Sequence, residues 1–212
     1  MVGLIFGSVP CEHWDFLNDY LNDSVRVFCA DGGVLNAAAA GRKADVLIGD
    51  WDSGGKAVAD LPCITLPVEK DLTDLQAAAG LALEEGYTEL VLCGCTGGRR
   101  LDHTASNLVL LEWIADRGGR GLLVDPENEV RLLDAGYHVV ENRPALHYFS
   151  LVPLDRHVTG VTLEGAKYPL NQAVLTRGDT LSVSNEPMAH QVGITIAEGR
   201  ALLIRSERGT QF

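Results

Sequence analysis

Four short segments in the first half of the chain gather carboxylates, glycines and basic side chains. Asp50-Trp51-Asp52-Ser53 sets two aspartates at i and i+2, which point to one side of an extended segment. Neighbouring carboxylates repel unless a cation lies between them, and hard oxygen ligands suit Mg²⁺. The competing reading is a polar turn with solvated acids. In Glu69-Lys70-Asp71-Leu72-Thr73-Asp74, Asp71 reads as a helix N-cap with Asp74 three residues on, as in a capping box. The same acids can complete a metal site while Lys70 meets phosphate oxygens. Asp31-Gly32-Gly33 lets backbone N–H groups approach a ligand closely, at the expected start of a helix near Val34. Taken alone, the segment reads first as an ordinary strand-to-helix turn capped by Asp31. The fourth segment, Gly94 to Thr104, combines Gly97-Gly98 with Arg99, Arg100, Asp102 and His103. A glycine-rich loop, two guanidinium groups and a helix start make a phosphate cradle. Asp102 can orient an arginine, bind metal or cap the helix, and His103 can be structural or a base.

These segments need a frame that brings them together. Apolar runs at Val2–Gly7, Val25–Ala30, Ala44–Ile48, Cys63–Leu66, Leu90–Cys93 and Gly121–Val124 predict strands buried on both faces. Helical periodicity falls between several of them, over Leu72–Glu85 and His103–Arg117. The alternation predicts a three-layer α/β domain with a mainly parallel sheet. Each polar segment then follows a strand, on the carboxyl edge where open α/β sheets bind ligands. Solvated acids have no reason to gather on one rim.

After Leu132 the texture changes to short strand-like runs at Tyr137–Val140, Tyr148–Pro153, Val158–Leu163, Thr180–Ser184, Val192–Ala197 and Ala201–Ile204. Turn residues separate them, so a small all-β sandwich is expected. The domain expectation is 1–132 followed by 133–212. With 46% hydrophobic and 22% charged residues among 212, the composition is that of a globular protein with a substantial core. A net charge of −12 argues against a nucleic-acid partner, since phosphate backbones are held by Lys and Arg. No apolar run reaches the roughly 20 residues of a membrane span, and no secretory pattern opens the chain, so a cytoplasmic protein is expected. The five cysteines, an odd number with three inside apolar runs, argue against a disulfide framework. Neither a P-loop nor a dinucleotide-binding glycine fingerprint occurs.

The chain resembles the thiamine pyrophosphokinase family. The likeness is carried by Ala30-Asp31-Gly32-Gly33, Ile48 to Ser53, Lys70 to Asp74, and Gly97-Gly98-Arg99 followed by Asp102-His103-Thr104. It continues in Gly160 to Leu170 and in Thr176 to Asn185. Two departures stand out: Trp51 where the family commonly has Phe, and two residues, Arg100 and Leu101, between Arg99 and Asp102 where one is usual.

The resemblance implies ATP as donor, thiamine as acceptor, Mg²⁺, and a homodimer with active sites between subunits. It implies metal coordination by Asp50, Asp52, Asp71 and Asp74, with Asp71, Asp74, Arg99 and Asp102 in the catalytic set. ATP would meet Asp31, Gly32, Lys70, Thr73, Arg99, Arg100 and His103. Thiamine would lie against Tyr168, with Ser182, Ser184 and Asn185 bonding its aminopyrimidine edge. Rival readings are transfer to another acceptor, Mg²⁺-dependent nucleotide hydrolysis, and a non-catalytic nucleotide-binding regulator.

Overall fold

The computed structural model describes residues 1–21, 25–49, 63–65 and 71–208. The chain divides into two compact units, Met1–Pro126 and Glu127–Phe212. Asn128–Leu133 therefore belongs to the second unit, although its apolar character continues the texture of the first.

The first unit carries six parallel strands: β1 Val2–Phe6, β2 Val25–Ala30, β3 Val46–Gly49, β4 Cys63–Thr65, β5 Glu89–Cys93 and β6 Arg120–Val124. Their order is β4-β3-β2-β1-β5-β6, every neighbouring pair parallel. The strands read as continuous apolar runs because both faces are covered. On one face Leu4, Phe6, Cys29, Leu47 and Cys93 share a core with Ala37 of helix α1, Gly33–Ala39, and with Trp14 and Leu17 of the N-terminal segment. Helices α2, Asp74–Glu84, and α3, Leu101–Ala115, cover the other face and touch each other. Right-handed crossovers account for this split, since the strand order runs one way from β1 to β4 and the other way from β5 to β6. That reversal leaves a crevice between the ends of β1 and β5, the position where doubly wound sheets hold ligands.

Helix limits differ from the periodic expectation by about two residues, for local reasons. Thr73, not Asp71, caps α2: its Oγ1 accepts the Gln76 N–H at 3.2 Å, and Asp74 is the first helical residue. Leu72 lies outside the helix and is exposed. Helix α3 begins at Leu101 without a side-chain cap, so Asp102 is not a cap either.

The second unit contains β7 Asn128–Leu133, β8 Gly136–Glu141, β9 Tyr148–Pro153, β10 His157–Glu164, β11 Leu170–Thr176, β12 Gln191–Ile196 and β13 Ala201–Ser206. Antiparallel pairing links β7-β13-β9, and a four-stranded sheet runs β11-β10-β12-β8. Leu133, Phe149, Leu151 and Leu203 from the first group share a core with Val140, Val161, Leu175 and Ile194 from the second. Two sheets closing on one core make a sandwich.

Two expectations fail here. Thr180–Ser184 alternates like a strand but is a turn whose Leu181 and Val183 are exposed while Ser182 is buried. Ser182 Oγ donates to the Leu151 carbonyl at 2.7 Å, and the Ser184 N–H donates to Ser150 Oγ at 2.9 Å. Side-chain bonds replace the ladder. Conversely, β11 gave no strand signal because it is an edge strand paired with β10, with Leu175 alone of its residues buried and an irregular register.

Burial pushes the thiols of Cys29 and Cys95 up to about 12, and raises that of Cys93 well above its ordinary value. A folded value above the ordinary one means the thiols favour the fold fully below pH ~9, with that contribution lost as pH rises toward 12. Native protein at pH 8 is therefore expected to leave these three unalkylated by iodoacetamide, whereas denatured protein exposes them; peptide mapping by mass spectrometry reads the difference.

Candidate active site

A cavity of about 150 Å³ opens at the β1/β5 crevice. Gly7, Ser8 and Val9 follow β1, Ala30 and Asp31 end β2, and Gly94 and Cys95 follow β5. Thr73, Asp74 and Leu75 bring the start of α2, and α3 contributes His103 and Asn107. Two buried amides hold its walls. Asn36 Nδ2, from α1, donates to the carbonyls of Gly7 at 2.7 Å and Val9 at 2.8 Å. Asn107 Nδ2 donates to the Cys95 carbonyl at 2.8 Å. Close packing of α1 needs Gly33, where a Cβ would sit 2.1 Å from the Phe6 carbonyl oxygen.

Asp31 is the unusual member. Its φ is 48°, a left-handed conformation that Asp tolerates better than most residues, and its N–H donates to the Ile48 carbonyl at 2.7 Å. Its Oδ1 is buried and has no hydrogen-bond partner among the described residues. A buried carboxylate oxygen left without a donor is costly, and a cation or ligand donor relieves that cost. Asp74 lies at the same cavity, at the positive end of α2, where a carboxylate is favoured.

Asp31 and Asp74 are hard oxygen donors of the kind Mg²⁺ takes, and the partnerless oxygen fits such an ion. Among the described residues no group of three His, Cys, Asp or Glu side chains is arranged to hold a metal. The sequence reading places further carboxylates at Asp50 and Asp52, and a cation at Lys70; these three lie outside the described residues. Asp71 is described and is exposed just before α2.

The loop after β5 carries the arginines. Gly97 and Gly98 have φ of 73° and 70°, two successive left-handed residues that side chains would strain. Beyond them Arg100 grips Asp102 with two charge-assisted bonds, Nε to Oδ1 at 2.9 Å and Nη2 to Oδ2 at 2.7 Å. The hydrogen bond from Arg100 is the main reason the Asp102 carboxyl drops to about 2. So acidic a group is a poor proton acceptor at neutral pH. Of its possible roles, orienting Arg100 suits it best. Arg99, one residue earlier, is exposed.

In the second unit Tyr168 is 55% exposed, with the Lys167 ammonium 5.6 Å from its ring centroid. Ser182 and Asn185 are buried and their side chains bond to backbone, while Ser184 is an exposed residue with φ of 58°. Both buried side chains hold the loops in place.

Family models match both units. One described as the catalytic domain of thiamin pyrophosphokinase covers residues 17–120, and one described as its vitamin B1 binding domain covers 137–201. A crystal structure of thiamin pyrophosphokinase from Geobacillus thermodenitrificans superposes with a TM-score of 0.87 at 32% identity, covering 100% of both chains. The chain belongs to the thiamine pyrophosphokinase family. The crystal structure of the Bacillus subtilis thiamine pyrophosphokinase gives a TM-score of 0.89 at 28% identity, over 98% of this chain and 100% of that one. The curated thiamine pyrophosphokinase of Bacillus subtilis (strain 168) is 35% identical over 138 residues, a stretch spanning 65% of this chain and 64% of that relative.

The cavity also draws on residues outside every motif. Ser8, Asn36 and Asn107 shape the cavity but lay in no motif. A signal existed for the last two: each is an amide inside an apolar helical stripe, and Asn107 stands one turn beyond His103.

Proposed function

We propose that this member of the family transfers a pyrophosphoryl group from ATP to the primary hydroxyl of thiamine. The match of both units to the catalytic and vitamin B1 binding models carries this reading. The thiamine oxygen attacks the β-phosphorus in line. The bond from that phosphorus to the oxygen bridging to the α-phosphorus breaks, and its electron pair leaves with AMP. The hydroxyl proton passes to solvent, and thiamine diphosphate is the second product.

Positioning and charge neutralisation do most of the work in such a transfer. The N-terminus of α2 and the loop after β5 offer backbone N–H groups and arginines to the polyphosphate. Asp102 keeps Arg100 extended for that task, leaving Arg99 to reach phosphate directly. Asp31 and Asp74, joined in the sequence reading by Asp50, Asp52 and Asp71, would hold Mg²⁺. When bound, that ion neutralises charge on the phosphate oxygens and fixes their geometry. Tyr168 offers an exposed aromatic face to thiamine's cationic ring.

The free thiols of Cys11, Cys29, Cys93 and Cys95 suit a reducing compartment, and we place the protein in the cytoplasm. No helix among the described residues is long and apolar enough to cross a membrane. We also infer a homodimer; exposed Tyr137, Val139 and Val174 on the second unit's four-stranded sheet suit a subunit interface.

Incubation of purified protein with ATP, Mg²⁺ and thiamine is expected to yield thiamine diphosphate and AMP in equal amounts, read by mass spectrometry. AMP formed without an acceptor would instead reveal a hydrolase. Binding of ATP with no AMP at all would reveal a regulator.

A further inference from the structure

Asn185 is 2% exposed, and its side-chain amide makes three hydrogen bonds, all to backbone. Oδ1 accepts from the N–H of Tyr168 at 3.0 Å and of Glu186 at 2.9 Å, while Nδ2 donates to the Tyr168 carbonyl at 2.8 Å. One buried amide therefore grips both backbone polar groups of Tyr168, as a neighbouring strand would. The clamp is itself anchored. Asn185 exchanges two backbone bonds of 2.9 Å with Phe149, a core residue of β9 that is 1% exposed. Glu186 adds a second tie, accepting the Lys167 N–H on its carbonyl at 2.9 Å and the Lys167 ammonium on its carboxylate at 2.6 Å. His147 Nε2 lies 3.1 Å from the other carboxylate oxygen.

Backbone takes three of the amide's four hydrogen-bonding positions, and at 2% exposure the side chain presents almost no surface to a ligand. We propose that Asn185 is a positioning residue, which acts on thiamine only by holding Tyr168 where its ring can stack. This rests on the reading that Tyr168 receives thiamine. The chemistry requires an amide: only Asn carries a donor and an acceptor at this reach, matching the C=O and N–H of one peptide residue. Aspartate keeps the acceptor and loses the donor; alanine loses both. Fixing the ring in advance spares the ligand the entropy of ordering it.

A double-mutant cycle tests the proposal. Asn185→Ala and Tyr168→Ala are each expected to raise the KM for thiamine roughly tenfold, the scale of one or two lost contacts, with kcat and the KM for ATP near wild type. The double variant should be no worse than Tyr168→Ala alone, and Asn185→Asp should fall between wild type and Asn185→Ala. Hydrogen exchange adds a readout that needs no turnover: the Tyr168 amide, whose N–H donates to Asn185 Oδ1, should exchange faster in Asn185→Ala than in wild type without thiamine, while β9 and β13 amides stay protected. KM increases that multiply in the double variant would show Asn185 acting independently, and would overturn the positioning role alone. A normal thiamine KM in Tyr168→Ala would overturn the placing of thiamine, and the inference with it.

Discussion

Asp31→Asn is expected to lower kcat/KM by roughly 10²–10³-fold, the usual effect of deleting one electrostatic contact to a transition state. The melting temperature should stay level or rise. Both halves follow from one atom. Oδ1 of Asp31 is buried at the cavity without a hydrogen-bond partner among the described residues, so the fold bears the desolvation of a carboxylate oxygen that it does not use. Asparagine keeps the size and accepts the left-handed φ of 48°, while removing the charge. What the fold gains, the chemistry loses, because a neutral amide is a weak ligand for Mg²⁺. Steady-state kinetics over a Mg²⁺ titration, alongside thermal melting, measure the two effects separately. Wild-type turnover, or a marked fall in melting temperature, would remove Asp31 from the proposed metal site.

Arg205→Met is expected to cost the second unit about 3–5 kcal/mol, the scale for stripping one partner from a buried ion pair. Arg205 on β13 stands directly across from Glu129 on β7, and both side chains are almost fully buried. Their closest charged atoms are 3.6 Å apart, and Arg205 Nη2 also donates to the Glu141 carbonyl at 2.8 Å. Arg143 reaches Glu129 from the surface at 3.2 Å, but it is far more exposed and screened. Methionine would fill the space and leave Glu129 facing an apolar neighbour. Paired replacement, Glu129→Leu with Arg205→Met, should recover most of the loss, since no buried charge remains. Urea unfolding followed by tryptophan-independent circular dichroism reads both. A single variant as stable as the double would show that the pair contributes packing rather than charge compensation.

Much of the frame was legible because its signals are local. A strand buried on both faces must be an unbroken apolar run, so β1, β2, β3 and β5 stand out in the chain. Aspartates and glycines directly after such runs point to the rim of a parallel sheet, and Asp31, Asp74 and His103 do line one cavity there. Signals weakened where a residue's surroundings come from elsewhere. The edge strand β11 lies at the rim of its sheet and buries Leu175 alone, so nothing requires it to alternate. Thr180–Ser184 alternates without being a strand, because hydrogen bonds to Ser150 and Leu151 hold its serines. Thr73 was overlooked as the cap of α2 because Asp71 and Asp74 offered a similar spacing two residues earlier.

Residue types and their order, taken by themselves, settled the ingredients: a parallel α/β unit, a sandwich after it, carboxylates at strand ends, and the family. These depend on forces acting over a few residues of chain, namely apolar periodicity and turn chemistry. Only the tertiary structure decided which polar groups are available for chemistry and which are already engaged. Asn36 braces loops 29 and 27 residues away, Asn185 grips a residue 17 away, and Asp31 is left with an unsatisfied oxygen. A hydrogen-bond partner is chosen by distance in space, and that distance does not exist until the chain has folded.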